Sequence, residues 1–113
     1  MFKELGQIAG LMKNLPKIQE EMQRFKERLP QIIVEGDAGA GMVKVRVNGR
    51  MEVLSCALSD EILKQNDREM LEDLIKAATN QALEKARAQV AEETARMAGG
   101  LGLPAGMGLP GLP

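Results

Sequence analysis

Between Gln31 and Leu58 the chain carries three short runs rich in β-branched residues, QIIVEG, MVKVRVN and RMEVLSCAL, set apart by segments of Gly, Asn and Asp. Runs of that length and composition predict three strands joined by turns. Three strands make a sheet that is marginal in isolation. The flanking segments, or a second copy, must therefore cover it.

Ahead of the strands, apolar residues at Leu5, Ile8, Met12, Leu15, Ile18, Met22, Phe25 and Leu29 fall three or four apart, the stripe of an amphipathic helix. We read Lys3 to Arg28 as helical. Pro16 interrupts it at ~3 kcal/mol in a helix interior, so a weak first segment and a firm second one starting near Pro16 are expected. Pro30 disfavours helical geometry at Leu29 and ends the element there. Beyond the strands, Ser59 should cap a brief helical turn. Asn66 with Glu69 reads as a capping box opening a long helix from Asp67 to about Ala98, with Glu69, Glu72 and Asp73 near its positive end. That helix would be ~45 Å long at ~1.5 Å per residue. Its apolar positions begin large (Met70, Leu71, Leu74, Ile75) and become small (Ala78, Ala82, Ala86) before Val90, so the distal half is a slim, alanine-rich helix expected to bury little on its own. Residues 1–98 form one domain in this reading, and the uncharged Gly/Leu/Pro-rich 99–113 a flexible tail.

Asn48-Gly49 is a strong two-residue hairpin signal, because both central residues of a type I′ turn need positive φ. It predicts Val47 opposite Arg50, Val45 opposite Glu52 and Val43 opposite Leu54. One face would then hold Val43, Val45, Val47, Leu54, Cys56 and Leu58, and the other Lys44, Arg46, Met51, Val53 and Ser55. The other connection, GDAGAG, is glycine-rich enough to raise the question of a phosphate cradle. A Walker loop needs Lys directly after the second glycine, whereas Gly41 is followed by Met42 and Val43. The dinucleotide fingerprint has Lys44 where its third glycine belongs and is followed by a strand instead of a helix. The segment reads as a hairpin connection.

The rest of the composition narrows function by removing chemistry. There is no His, the commonest general base and metal ligand. The lone Cys56 can form neither an internal disulfide nor a paired-cysteine metal site, which fits a reducing, cytoplasmic compartment; on the oily strand face it reads as a small core residue. Asp60-Glu61, Glu72-Asp73 and Glu92-Glu93 are sequence neighbours that diverge on a helix, so none is a ready carboxylate pair. No catalytic residue, cofactor, metal or small-molecule substrate is expected. The first residues carry polar groups every few positions, unlike a signal peptide or membrane span. Two helices projecting beyond a small sheet would leave apolar stripes in water, and pairing two copies is the simplest remedy. Each newly buried leucine-sized side chain contributes roughly 1.5–3 kcal/mol, so a homodimer is expected.

The amino-terminal helix, GDAGAGMVKVRVNG, LSDEIL, DREMLEDLIKAATNQALEKA and the Gly-Leu-Pro tail, in that order and spacing, resemble the YbaB/EbfC family of bacterial nucleoid-associated proteins over essentially the whole chain. The resemblance implies an α+β fold with an α-β-β-β-α subunit, a three-stranded antiparallel sheet, and two long helices that dimerise into a tweezer-like shape. It also implies cytoplasmic and nucleoid location, no enzymatic activity, and duplex DNA as partner with little sequence dependence. Pro16 and the Leu29-Pro30 break depart from the family's uninterrupted first helix.

The net charge of −1 does not favour DNA, but it is unevenly distributed. Met1 to Leu29 holds six basic residues (Lys3, Lys13, Lys17, Arg24, Lys26, Arg28) against four acidic ones, whereas Ser59 onward has nine acids and six bases. A DNA face would combine the first helix with Lys44 and Arg46, with Lys85, Arg87 and Arg96 of the second helix as further candidates. No aromatics interleave these cations, which argues against single strands. The other reading is a non-enzymatic dimeric adaptor for another protein, for example in DNA repair or replication, whose acidic second helix suits a basic partner.

Overall fold

A computed structural model describes residues 12–102. The helical segment expected from Lys3 is outside this range up to residue 11, as is the tail from residue 103. A firm helical segment begins near Pro16, as expected: Met12 and Lys13 are helical, Asn14 is a turn residue, and helix resumes at Leu15. Helix α1 (Leu15–Arg28) has Asn14 at its N-cap and Pro16 in its first turn, where a missing N–H costs nothing. At the other end Leu29 stays helical (φ −52°, ψ −47°) despite Pro30, and the chain tightens into a 3-10 turn, Leu29–Gln31, before becoming extended at Ile32. Proline ends the α-helix as expected, one turn more gradually.

Strands β1 (Ile33–Ala38), β2 (Val43–Asn48) and β3 (Val53–Leu58) form an antiparallel sheet in the order β1-β2-β3. A short helix α2 (Asp60–Lys64) and a long helix α3 (Arg68–Gly100) follow. The architecture is the expected α+β layout, helix, three strands, long helix. No helix among the described residues is long and apolar enough to cross a membrane.

The register of β2 with β3 differs from the expected one. The connection after β2 is a three-residue loop: Asn48 N–H donates to the Glu52 carbonyl (3.1 Å), Met51 N–H to the Asn48 carbonyl (3.0 Å), and Met51 takes the left-handed conformation (φ 62°). This is a turn closed by a bulge residue. Val47 lies opposite Val53, Arg46 opposite Ser55, Val45 opposite Cys56 and Val43 opposite Leu58, with Leu54 the extra residue of a bulge. The shift is even beyond the bulge, so Cys56 and Leu58 keep the face expected of them, while Val53 moves to the valine side. Gly49 serves another purpose here. Its amide donates to the carbonyls of Leu29 and Ile32, both at 3.0 Å, and a Cβ there would lie 2.6 Å from the Leu29 oxygen. The turn with two positive central φ values occurs in the other hairpin, at Ala40 (55°) and Gly41 (84°), closed by Met42 N–H to the Gly39 carbonyl at 3.1 Å.

Two cores result. Val43, Val45 and Val47 pack under Ala78, Ala82 and Ala86 of α3, all fully buried. The alanines, too small to bury much on their own, are fully buried against the sheet. At Gly36 a Cβ would meet the Ala78 carbonyl oxygen at 2.2 Å and the Ala82 nitrogen at 2.5 Å, so helix backbone rests on strand backbone. Small residues on both sides permit that approach. Farther along α3, Phe25 of α1 is buried against Val90 and Met97, which fixes α1 to the distal half of α3.

Caps follow the expected logic with one shift. Ser59 accepts from Ile62 N–H at 3.3 Å. For α3 the cap is Asp67, accepting from Met70 N–H at 3.1 Å, because Asn66 is spent on a left-handed link (φ 52°) between the helices. The Gly99-Gly100 pair belongs to the helix end instead of lying beyond it.

Candidate nucleic-acid interface

Helix α1 turns its apolar side to α3 through Phe25, which leaves its charged flank exposed. At ~3.6 residues per turn, Lys17, Arg24 and Arg28 fall within about 40° of one another on that flank, and Lys13 lies just ahead of the helix, before its N-cap Asn14. Anchoring by Phe25 brings this row alongside the end of α3. Between them runs a cleft of about 510 Å³, with Lys17, Glu21 and Arg28 on one wall, Glu93 and Arg96 on the other, and Met97 at its base. Three of the cations expected from sequence therefore converge.

Their partners rank them. Among the described residues, Lys13, Lys17, Lys26, Arg28 and Lys44 form no ion pair. Arg24 holds Glu20 (2.7 Å) and Glu21 (3.1 Å), the first pair at the i,i+4 spacing legible in the sequence; Arg96 holds Glu93 at 3.0 Å, and Arg87 holds Glu84 at 3.5 Å. Exposed pairs of this kind contribute only ~0–1 kcal/mol each, so Arg24 and Arg96 can turn to another anion at little cost.

The remaining candidates are placed elsewhere. Lys44 and Arg46 lie on the sheet face turned away from the buried valines, opposite Asp37 and Glu35 of β1, and Arg46 contacts Glu35 at 3.2 Å. That face is locally neutral. Lys85 donates its ammonium to the Glu35 backbone carbonyl at 2.9 Å. Lys26 lies on the side of α1 opposite the row and lines a shallower depression with Gln23, Glu27, Pro30 and Arg50. Lys3 lies outside the described residues. Arg50 in that depression was not singled out from sequence, where it reads as a turn residue. Gln81 was missed as well: its carbonyl oxygen accepts from Asp37 N–H at 2.7 Å.

The other apolar surface is on β3. All six of its residues are exposed, Val53 by 55% and Leu54 by 49%, and Cys56 is exposed with them instead of buried in a core. Helix α3 lies over β1 and β2 and stops short of this strand.

In fold, the chain is similar to the crystal structure of the uncharacterized protein HP0035 from Helicobacter pylori, with a TM-score of 0.66 and 24% identity over 81% of this chain and 94% of that one. The model of the YbaB/EbfC DNA-binding family matches residues 4–101. The helix-strand-strand-strand-helix subunit and the exposed cationic row on its first helix thus belong to a member of the YbaB/EbfC DNA-binding family.

Proposed function

We propose that this protein is a non-enzymatic, cytoplasmic, nucleoid-associated homodimer that holds duplex DNA by its phosphate backbone, largely without sequence preference, and so affects chromosome organisation and gene expression. The DNA-binding unit is residues 1–98 and the tail is accessory. The observation that carries the reading is the cleft in which Lys17 and Arg28, free of ion partners among the described residues, face Arg96. Arg24 extends it along α1, and Lys13 precedes that helix. Such a row neutralises phosphates but offers no array of Asn, Gln and Arg for reading base edges. Phe25, the aromatic residue of α1, is buried and unable to stack on a base.

Dimerisation is supported by the bare third strand. Val53, Leu54, Leu58 and nearby Leu63 are each between 37% and 55% exposed. Covering these four on both subunits would contribute about 6–12 kcal/mol, half the value for complete burial, comparable to the ~4–15 kcal/mol cost of association. Backbone pairing along β3 adds to the favourable side. Two copies would double the cationic surface.

Duplex titration across salt concentrations tests the reading. Affinity should fall linearly on logarithmic axes with a slope of about −0.9 per phosphate contacted, be indifferent to duplex sequence, and weaken at least tenfold in Lys17→Glu or Arg28→Glu. No duplex binding at low salt would favour the adaptor reading.

A further inference from the structure

We propose that Gln81 and Lys85 act as a surrogate strand along the free edge of β1, so that the sheet can be extended only through β3 and assembly closes at two copies. The idea rests on the homodimer reading and goes beyond it by assigning a role to the opposite edge. In an antiparallel sheet, alternate residues of an edge strand direct N–H and C=O away from their neighbour. On β1 those outward groups include the Asp37 amide and the Glu35 carbonyl, and each is already engaged. Gln81 Oε1 accepts from Asp37 N–H at 2.7 Å, and Lys85 Nζ donates to the Glu35 oxygen at 2.9 Å.

The fit is geometric as well as chemical. Four residues of helix rise about 6 Å, and two residues of strand about 6.6 Å, so an i,i+4 pair on α3 stays in step with an i,i+2 pair on β1. Polarity alternates correctly, acceptor to N–H and donor to C=O, as a real neighbouring strand would present it. The close seating of α3 on Gly36, with fully buried Ala82 between the two polar residues, brings their side chains within reach of the edge.

On β3, by contrast, no side chain among the described residues bonds the backbone of Val53–Leu58. A three-stranded sheet with both edges open could add β1 of one copy to β3 of the next without limit, the heterologous contact that builds fibres. Sealing β1 removes that register and leaves β3 to β3, which closes on itself.

The test uses the full chain and the near-isosteric double variant Gln81→Leu/Lys85→Met, with amide exchange read residue by residue and sedimentation velocity across a concentration series. In the native protein the Asp37 amide should be protected although it is an edge amide. In the variant it should exchange roughly tenfold faster, the loss of one hydrogen bond, with the Gly36 amide inside the ladder unchanged. The variant should also sediment as species larger than native that grow with concentration, while Lys85→Arg, which keeps a donor, behaves as native. An unprotected Asp37 amide in the native protein overturns the proposal even if the variant does not fold. So does a folded variant with native exchange, or one with faster exchange and no growth. A native chain that sediments as a monomer counts against the homodimer reading alone; the seal is then judged by whether the variant still grows beyond it.

Discussion

The two edges of this small sheet are treated in opposite ways. β1 lies directly beneath α3, has a glycine where the helix comes closest, and has outward backbone groups bonded to helix side chains. β3 carries more apolar residues, five against three, yet all of it is exposed and no helix among the described residues covers it. The difference teaches where the chain places the longest of its described helices. A helix about 10 Å across spans two strands at ~4.8 Å spacing and no more. The third strand is left for something outside the subunit, and in the proposed dimer that is its own copy.

The contrast can be broken most severely at Gly36. Replacing it with Val places a side chain within 2.2–2.5 Å of α3 backbone atoms, which cannot yield as a side-chain tip would. Denaturant unfolding should show a loss of about 3 kcal/mol or more, at or above the upper end for overpacking. The same enlargement at exposed Ala57 on β3 should stay within about 0.5 kcal/mol. Equal effects at both sites would mean that α3 is not pressed against β1.

Next in size is a charge on the bare strand. Leu54→Asp leaves each subunit folded, since the side chain is already half exposed, but places two carboxylates in the proposed interface. The dimer should weaken at least 100-fold by analytical ultracentrifugation, with circular dichroism unchanged. Cys56 supplies a second readout: its thiol, exposed on the single subunit, should react slowly with a thiol reagent in the native dimer and rapidly in this variant. Native-like association in Leu54→Asp would move the interface off β3.

A smaller effect is expected where β2 turns into β3. Asn48 is 3% exposed; its oxygen accepts from the amides of Arg50 (2.9 Å) and Glu52 (3.1 Å), and its amide donates to Glu52 Oε1 at 3.0 Å. Asn48→Ala removes all three and leaves two partly buried backbone donors without their protein acceptor, so about 1–2 kcal/mol should be lost. Calorimetric melting would register this as a lower Tm. An unchanged Tm would show that water replaces the side chain in the loop.

How much of this was legible in sequence depended on how local the deciding contact is. Alternating Val43, Val45 and Val47 placed β2 to within a residue, and Ser59 and Pro16 acted through their own turns. Asn48-Gly49 misled because a glycine there answers two demands that look alike in sequence: positive φ, and room for a carbonyl twenty residues earlier. The structure uses the second, and Met51 supplies the left-handed residue. The alanines of α3 looked too small to bury much because their complement, Gly36, lies more than forty residues away. Among the candidate site residues, charge was readable, and partnership only where it is local, as for Glu20 and Arg24 four residues apart. Nothing local distinguishes Arg28, free beside the cleft, from Lys85, engaged by a strand carbonyl.

That last pair gives the smallest and most discriminating prediction. If cations meet phosphate only where they are free to do so, the salt slope of duplex binding should separate the cleft from the sealed edge. Lys17→Ala removes one phosphate contact and should reduce the slope by about 0.9. Lys85→Gln deletes the same formal charge while keeping a donor for β1 at a position whose ammonium already serves that strand, and should leave the slope unchanged while affinity shifts less than about twofold at the ionic strengths where the Debye length is ~10 Å or less. The comparison holds net charge constant between variants, so a general loss of attraction cannot mimic it. Equal slopes for the two variants would place Lys85 on the DNA and would require its bond to Glu35 to open on binding, joining the sealed edge to the interface instead of setting it apart.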